Sequence, residues 1–158
     1  MFCLKKSGIA LIKMGGFCMS ETDIRITEKI EDIRNDLEEL YSFFPENFEE
    51  YENSSLIRAA TERLFEKIIE AVIKIVFLII SREKLRKPEN EDSAFDVILK
   101  AGIIDERLAG KLKKAKGMRN KIIHQYEIIK DETVFTSISE EFQADIEEFI
   151  KQINEKLA

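Results

Sequence analysis

The single histidine of the chain, His124, follows Arg119 by five positions and precedes Tyr126 by two. Histidine titrates near neutral pH, so it can take a proton from a ribose hydroxyl or return one to a leaving oxygen. Arginine keeps its charge and grips phosphate oxygens in a planar fork. Those two abilities are what metal-independent RNA cleavage needs. On an ideal helix of about 3.6 residues per turn, Asn120 and His124 share one face and Arg119 and Tyr126 another. Arg119 and His124 themselves sit roughly 140° apart on such a helix. Either Arg119 reaches around, or the helix loosens near His124. A lone histidine near a helix end is more often structural than catalytic, so its surroundings have to decide.

The surroundings are basic. Residues 107–126 hold seven Lys or Arg and no Asp or Glu, within a chain of 158 residues whose net charge is −6. Lysines on a helix mostly serve solubility. A basic strip on an acidic protein points instead to an anionic ligand, and Lys113, Lys114, Lys116 and Lys121 are the candidate contacts to an RNA backbone. One histidine excludes a multi-His metal site, and Cys3 and Cys18, both near the N-terminus, make neither a zinc cluster nor a disulfide scaffold. No metal and no cofactor are expected. The chain contains no GxGxxG, GxxxxGK[ST] or GxSxG pattern, which removes the common nucleotide-binding loops and the nucleophile elbow.

The elements that must position these residues read as helices. With 44% hydrophobic and 35% charged residues, six glycines and two prolines, the chain is globular, helical and of single-domain length. Ile26, Ile30, Ile33, Leu37, Leu40 and Phe44 form a stripe at spacings of four and three, closed by Pro45. Asn53 or Ser54 caps a second helix running to about Ser81. Within it, residues 68–80 contain eleven apolar residues of thirteen. That is too short for a bilayer, and a helix apolar all round calls for burial on every side. One small domain has few helices to provide it, so a dimer partner is expected to cover this run. A short helix capped by Asp92 or Ser93 and closed by Gly102 comes next, then one capped by Asp105 that carries the basic strip. Residues 131–137 read as a connection. Phe142, Ile146, Phe149, Ile153 and Leu157 mark the last helix. The expected fold is all-α, an antiparallel bundle of four main helices plus one short helix.

Residues 1–18 stand apart. Lys5 and Lys6 precede an apolar run too short for a signal peptide. Met19-Ser20-Glu21 looks like a natural start, and Gly15-Gly16 is what a translated ribosome-binding site upstream of Met19 encodes. The expected organisation is a non-native or disordered extension over 1–18 and one helical domain over 19–158.

The run Gly117-Met-Arg-Asn-Lys-Ile-Ile-His-Gln-Tyr126 contains Arg-x4-His-x-Tyr and resembles the signature motif of the HEPN superfamily, in particular its HepT-type toxins. Glu62-Arg-Leu-Phe-Glu-Lys-Ile-Ile-Glu-Ala71 and Phe95-Asp-Val-Ile-Leu-Lys-Ala-Gly-Ile-Ile104 add to the likeness, which covers about residues 24–157. The resemblance implies a HEPN-like homodimer with the motif of each subunit at a cleft on the two-fold interface. It implies a cytoplasmic endoribonuclease, the toxin of a type VII toxin–antitoxin pair. Arg119 and His124 become the catalytic pair. Tyr126 becomes the acceptor of AMP from a cognate MntA-type nucleotidyltransferase antitoxin. Asn120 and a glutamate of the long helix, Glu70 or Glu66, become supporting residues. With one histidine per chain, an acid–base histidine pair arises only across the dimer axis. The alternative is a non-catalytic HEPN module that binds nucleotide or RNA, or forms complexes, through the same cleft.

Overall fold

A computed structural model describes residues 11–14, 17–124 and 130–158, with side chains from Met19 onward. Tyr126 and its expected role as AMP acceptor lie outside the described residues. Two four-residue strands, β1 (Leu11–Met14) and β2 (Phe17–Ser20), pair antiparallel ahead of the helices. Strand β2 runs directly into the first helix.

Helix α1 (Glu21–Phe43) begins at Ser20, whose hydroxyl accepts from the Asp23 N–H while the Asp23 carboxylate accepts from the Ser20 N–H. This reciprocal cap satisfies two helix-start donors at once. The predicted stripe Ile26, Ile30, Ile33, Leu37 and Leu40 is buried, and the helix stops before Pro45. A short helix not foreseen in the sequence, α2 (Phe48–Asn53), follows with Asn47 as its cap. Ser54 caps the 28-residue α3 (Ser55–Arg82). Helix α4 (Glu91–Lys100) starts one turn earlier than expected: Asn90, not Asp92 or Ser93, is the cap, and Ser93 returns the hydrogen bond to the Asn90 N–H. Gly102 closes the turn at φ 71°, a left-handed conformation that costs glycine nothing. Helix α5 (Glu106–His124) starts at Asp105, whose carboxylate accepts from the Leu108 N–H at 2.8 Å.

The expected connection over 131–137 is instead helix α6 (Asp131–Ser137), continued by a π-helical turn over Ile138–Phe142 into α7 (Gln143–Leu157). Thr, Val and Phe are weak helix formers and no side chain caps α6, so propensity and capping give no signal for it. Packing supplies the helix: Val134 is fully buried, and the Phe135 ring stacks on Phe44 at 5.3 Å and meets Phe48 and Tyr51. The Tyr41 hydroxyl donates to the Ile138 carbonyl at 2.7 Å, fixing the π turn to the end of α1. Burial, with the nearby Glu147 carboxylate, raises the Tyr41 pKa to about 12.

The long helices alternate in direction. Lys67 meets Asp36 at 2.6 Å and Arg82 meets Asp23 at 2.5 Å, which sets α3 antiparallel to α1. Asp105 meets Gln152 and Lys111 meets Asp145, which sets α7 antiparallel to α5. Arg82 also donates to the Leu157 carbonyl, so one guanidinium clasps the start of α1 and the ends of α3 and α7. Within this frame the run 68–80 does not wait for a partner subunit. Ile68, Ile69, Val72, Ile75, Val76 and Ile79 are at most 1% exposed in the single chain, enclosed by α1, α4 and α5. Phe77, at 40% exposure, is the most exposed apolar residue of that run. The apolar run therefore carries no argument for a dimer, because the short helix α4, with Phe95 and Ile98 buried, joins α1 and α5 in covering it. No helix among the described residues is long and apolar enough to cross a membrane.

The Asp105 cap yields a stability prediction with a definite pH dependence. The Leu108 N–H and the Gln152 amide hold the Asp105 pKa below its ordinary value. A depressed folded pKa gives stability that is complete above the unfolded value of about 3.9 and lost as pH falls through the folded one. Asp105→Ala is expected to cost about 1 kcal/mol at neutral pH. In thermal denaturation its deficit against wild type should narrow as the pH is lowered below the carboxylate range.

Candidate functional site

Helix α5 keeps its α-helical course through His124, so the loosening that the sequence leaves open does not occur. Arg119 and His124 accordingly occupy different surroundings. His124 is exposed in the last turn of α5. Arg119 turns inward, its side chain 18% exposed. Its Nη1 donates to the Asn120 Oδ1 at 3.2 Å and lies 3.7 Å from the Glu91 carboxylate. Its Nε is buried and has no hydrogen-bond partner among the described residues. A buried, unsatisfied guanidinium N–H costs free energy that an anion in contact with it recovers. Arg119 thus has one face pinned and one donor in reserve, which suits a phosphate clamp.

Asn120 is the side chain whose Oδ1 accepts from the Arg119 guanidinium. Glu70 is bound first to Lys74, at 2.8 Å one turn along α3. That hydrogen bond and charge, with smaller contributions from Arg119 and Arg63, hold its carboxyl below the usual carboxylate range. Glu70 therefore belongs to the electrostatic surroundings of Arg119, across the α3–α5 contact. Glu66 pairs with Arg63 at 3.4 Å on the same helix.

The basic strip is one run in the sequence and two faces in space. Lys113 and Lys116 turn toward α4, where Lys113 binds Asp96 at 2.6 Å and Lys116 binds Asp92 at 2.9 Å. Lys111, Lys114 and Lys121 turn the other way and line a cavity of about 270 Å³ floored by Phe65, Met118 and Phe142. Lys111 is bound there to Asp145 and Glu141. Lys114 has no ion pair among the described residues and is exposed. The expected RNA contacts thus differ in kind: Lys113 and Lys116 are engaged by carboxylates, and Lys114 is open to solvent. The sequence reading missed Glu91, Asp92 and Asp96. Their signal is the Asn90-x-x-Ser93 cap, which starts α4 early enough to bring all three carboxylates beside α5. Among the described residues no group of three or more His, Cys, Asp or Glu is disposed to hold a metal ion.

The chain is an all-α antiparallel bundle that carries Arg119 and His124 in the last turns of one long helix, with Asn120 and Glu91 beside the arginine. Residues 33–153 match the Ribonuclease HepT-like family, and the chain belongs to that family. It is 31% identical over 132 residues to the tRNA nuclease HepT of Aphanizomenon flos-aquae, covering 84% of this chain and 89% of that one. Among solved structures, the fold is shared with a tri-AMPylated Shewanella oneidensis HEPN toxin in complex with its MNT antitoxin. That match has a TM-score of 0.73 and 20% identity and covers 87% of this chain and 99% of that one. A variant of the MntA-HpeT toxin–antitoxin complex shares it too, with a TM-score of 0.77, 21% identity and coverage of 83% and 98%. At these identities the solved structures speak for the fold.

Proposed function

We propose that this chain is the ribonuclease toxin of a toxin–antitoxin pair, that it acts in the cytoplasm as a homodimer, and that it cleaves RNA without a metal ion. The observation that carries the reading is the family match across residues 33–153, combined with a half-buried Arg119 that keeps a donor unsatisfied a turn from His124. In the reaction, His124 takes the proton of a ribose 2′-hydroxyl and the freed oxygen attacks the adjacent phosphorus. The bond to the 5′-oxygen breaks, and that oxygen is protonated as it leaves. A 2′,3′-cyclic phosphate and a 5′-hydroxyl result. Arg119 holds the charge that develops on the phosphate oxygens.

The divergent placement of the two residues on α5 supports a composite site. With His124 exposed and Arg119 turned inward, a cleft between two copies offers an acid and a base, one histidine from each subunit. Neutralisation follows the relatives: a cognate MntA-type nucleotidyltransferase moves AMP from ATP to the Tyr126 hydroxyl and releases pyrophosphate.

Purified protein incubated with total RNA in excess EDTA is the test. The expected result is cleavage with cyclic-phosphate ends at a rate unchanged by the chelator. Activity that EDTA abolishes and a divalent metal restores contradicts the scheme. Binding of RNA with no cleavage in either condition favours the non-catalytic module.

A further inference from the structure

Three cations of α5 are already held by anions of the chain itself. The rungs run antiparallel, Lys113 to Asp96 at 2.6 Å, Lys116 to Asp92 at 2.9 Å and Arg119 to Glu91 at 3.7 Å. The two sides of this ladder differ in exposure. The Lys116 and Arg119 side chains are 12% and 18% exposed, whereas Asp92 and Glu91 opposite them are 55% and 38% exposed. A phosphate backbone approaching this face meets carboxylates before it meets the cations behind them.

We propose that α4 is an internal competitor of the RNA backbone, with Glu91, Asp92 and Asp96 acting as specificity-determining residues that suppress binding of indiscriminate RNA. The proposal rests on the ribonuclease reading above. Backbone binding gains its free energy from counterions released when cations neutralise phosphates. Here the cations are already neutralised, so a phosphate that takes one only exchanges places with a carboxylate. It then leaves that carboxylate unpaired beside the RNA, a repulsion that weighs against every strand equally. An RNA that adds contacts of shape or base to the exchange overcomes it. An RNA that offers only its backbone does not. The ladder takes up three of the seven Lys and Arg of residues 107–126.

The test compares binding of a fluorescein-labelled oligouridylate across a salt series, in the His124→Ala background so that the probe stays intact. One variant carries Glu91→Gln, Asp92→Asn and Asp96→Asn. A control carries the same charge change on exposed α1 positions, Glu28→Gln, Glu31→Gln and Glu39→Gln. The ladder variant should bind at least about tenfold more tightly at low salt, and its log–log salt slope should steepen by about 2, at roughly 0.7 per added phosphate contact on single strands. The α1 control should leave the slope unchanged. If the triple variant unfolds, Asp96→Asn alone removes one rung away from the helix start and should steepen the slope by about 0.7. An unchanged slope in a folded ladder variant overturns the proposal, and so does an equal gain in the α1 control. Cleavage by the wild-type chain is read separately in the EDTA assay. A chain that cuts RNA while its α4 variants bind as before contradicts the ladder alone.

Discussion

Replacement of His124 by alanine is expected to lower RNA cleavage by about 10²- to 10⁴-fold, the usual contribution of a positioned general acid or base. The fold should be untouched, because His124 is exposed at the end of α5 and its loss opens no cavity. Circular dichroism and the melting temperature therefore serve as controls. Arg119→Ala is expected to cost about 10²- to 10³-fold in rate, as removal of a donor to a developing oxyanion does. Its fold cost should exceed that of His124→Ala, since it leaves Asn120 and Glu91 without their shared partner. Arg119→Lys separates the two effects. It keeps a charge near Glu91 but loses the planar fork, so it should restore stability while recovering little activity. Full activity in Arg119→Lys contradicts the fork as the working element.

The second large effect concerns silencing. Tyr126→Phe is expected to remain toxic when co-expressed with the cognate nucleotidyltransferase, while the wild-type chain is silenced and gains AMP mass on the peptide containing Tyr126. The adenylyl group brings a base, a sugar and a phosphodiester that stays anionic at neutral pH. Attached two residues after His124 in the sequence, it is expected to bring a negative charge and added bulk close to that histidine. Charge and volume act in the same direction, so one AMP should inhibit strongly. The charge effect should weaken in high salt; the steric effect should not. If Tyr126→Phe is silenced as completely as wild type, neutralisation proceeds by complex formation and the tyrosine has no part in it.

Much of the bundle was legible because helix periodicity is a local property. The stripe from Ile26 to Leu40 and the stripe from Phe142 to Ile153 both face the core, and Ser54, Gly102 and Asp105 act where their chemistry places them. What escaped was non-local. Helix α6 exists because Phe135 packs into the rings of Phe44, Phe48 and Tyr51, residues more than eighty positions away. The run 68–80 was assigned to a partner because sequence shows that a helix is apolar on all sides but not how many neighbours reach it. The candidate site divides in the same way. Arg119, Asn120 and His124 announce themselves by type and spacing. The carboxylates that hold Arg119, Lys113 and Lys116 lie on α4, and only the antiparallel packing of α4 on α5 sets them in register. The twenty acid-free residues 107–126 thus give an incomplete picture of the local field.

The most direct test of the account is to express the chain in one host strain, alone and together with its nucleotidyltransferase, and to read RNA integrity and intact-protein mass from the same culture. Expression alone should produce cleaved RNA and a protein of unmodified mass. Co-expression should leave the RNA whole and add one or more AMP masses to the protein. Intact RNA in cells that hold the folded, unmodified protein alone contradicts the account.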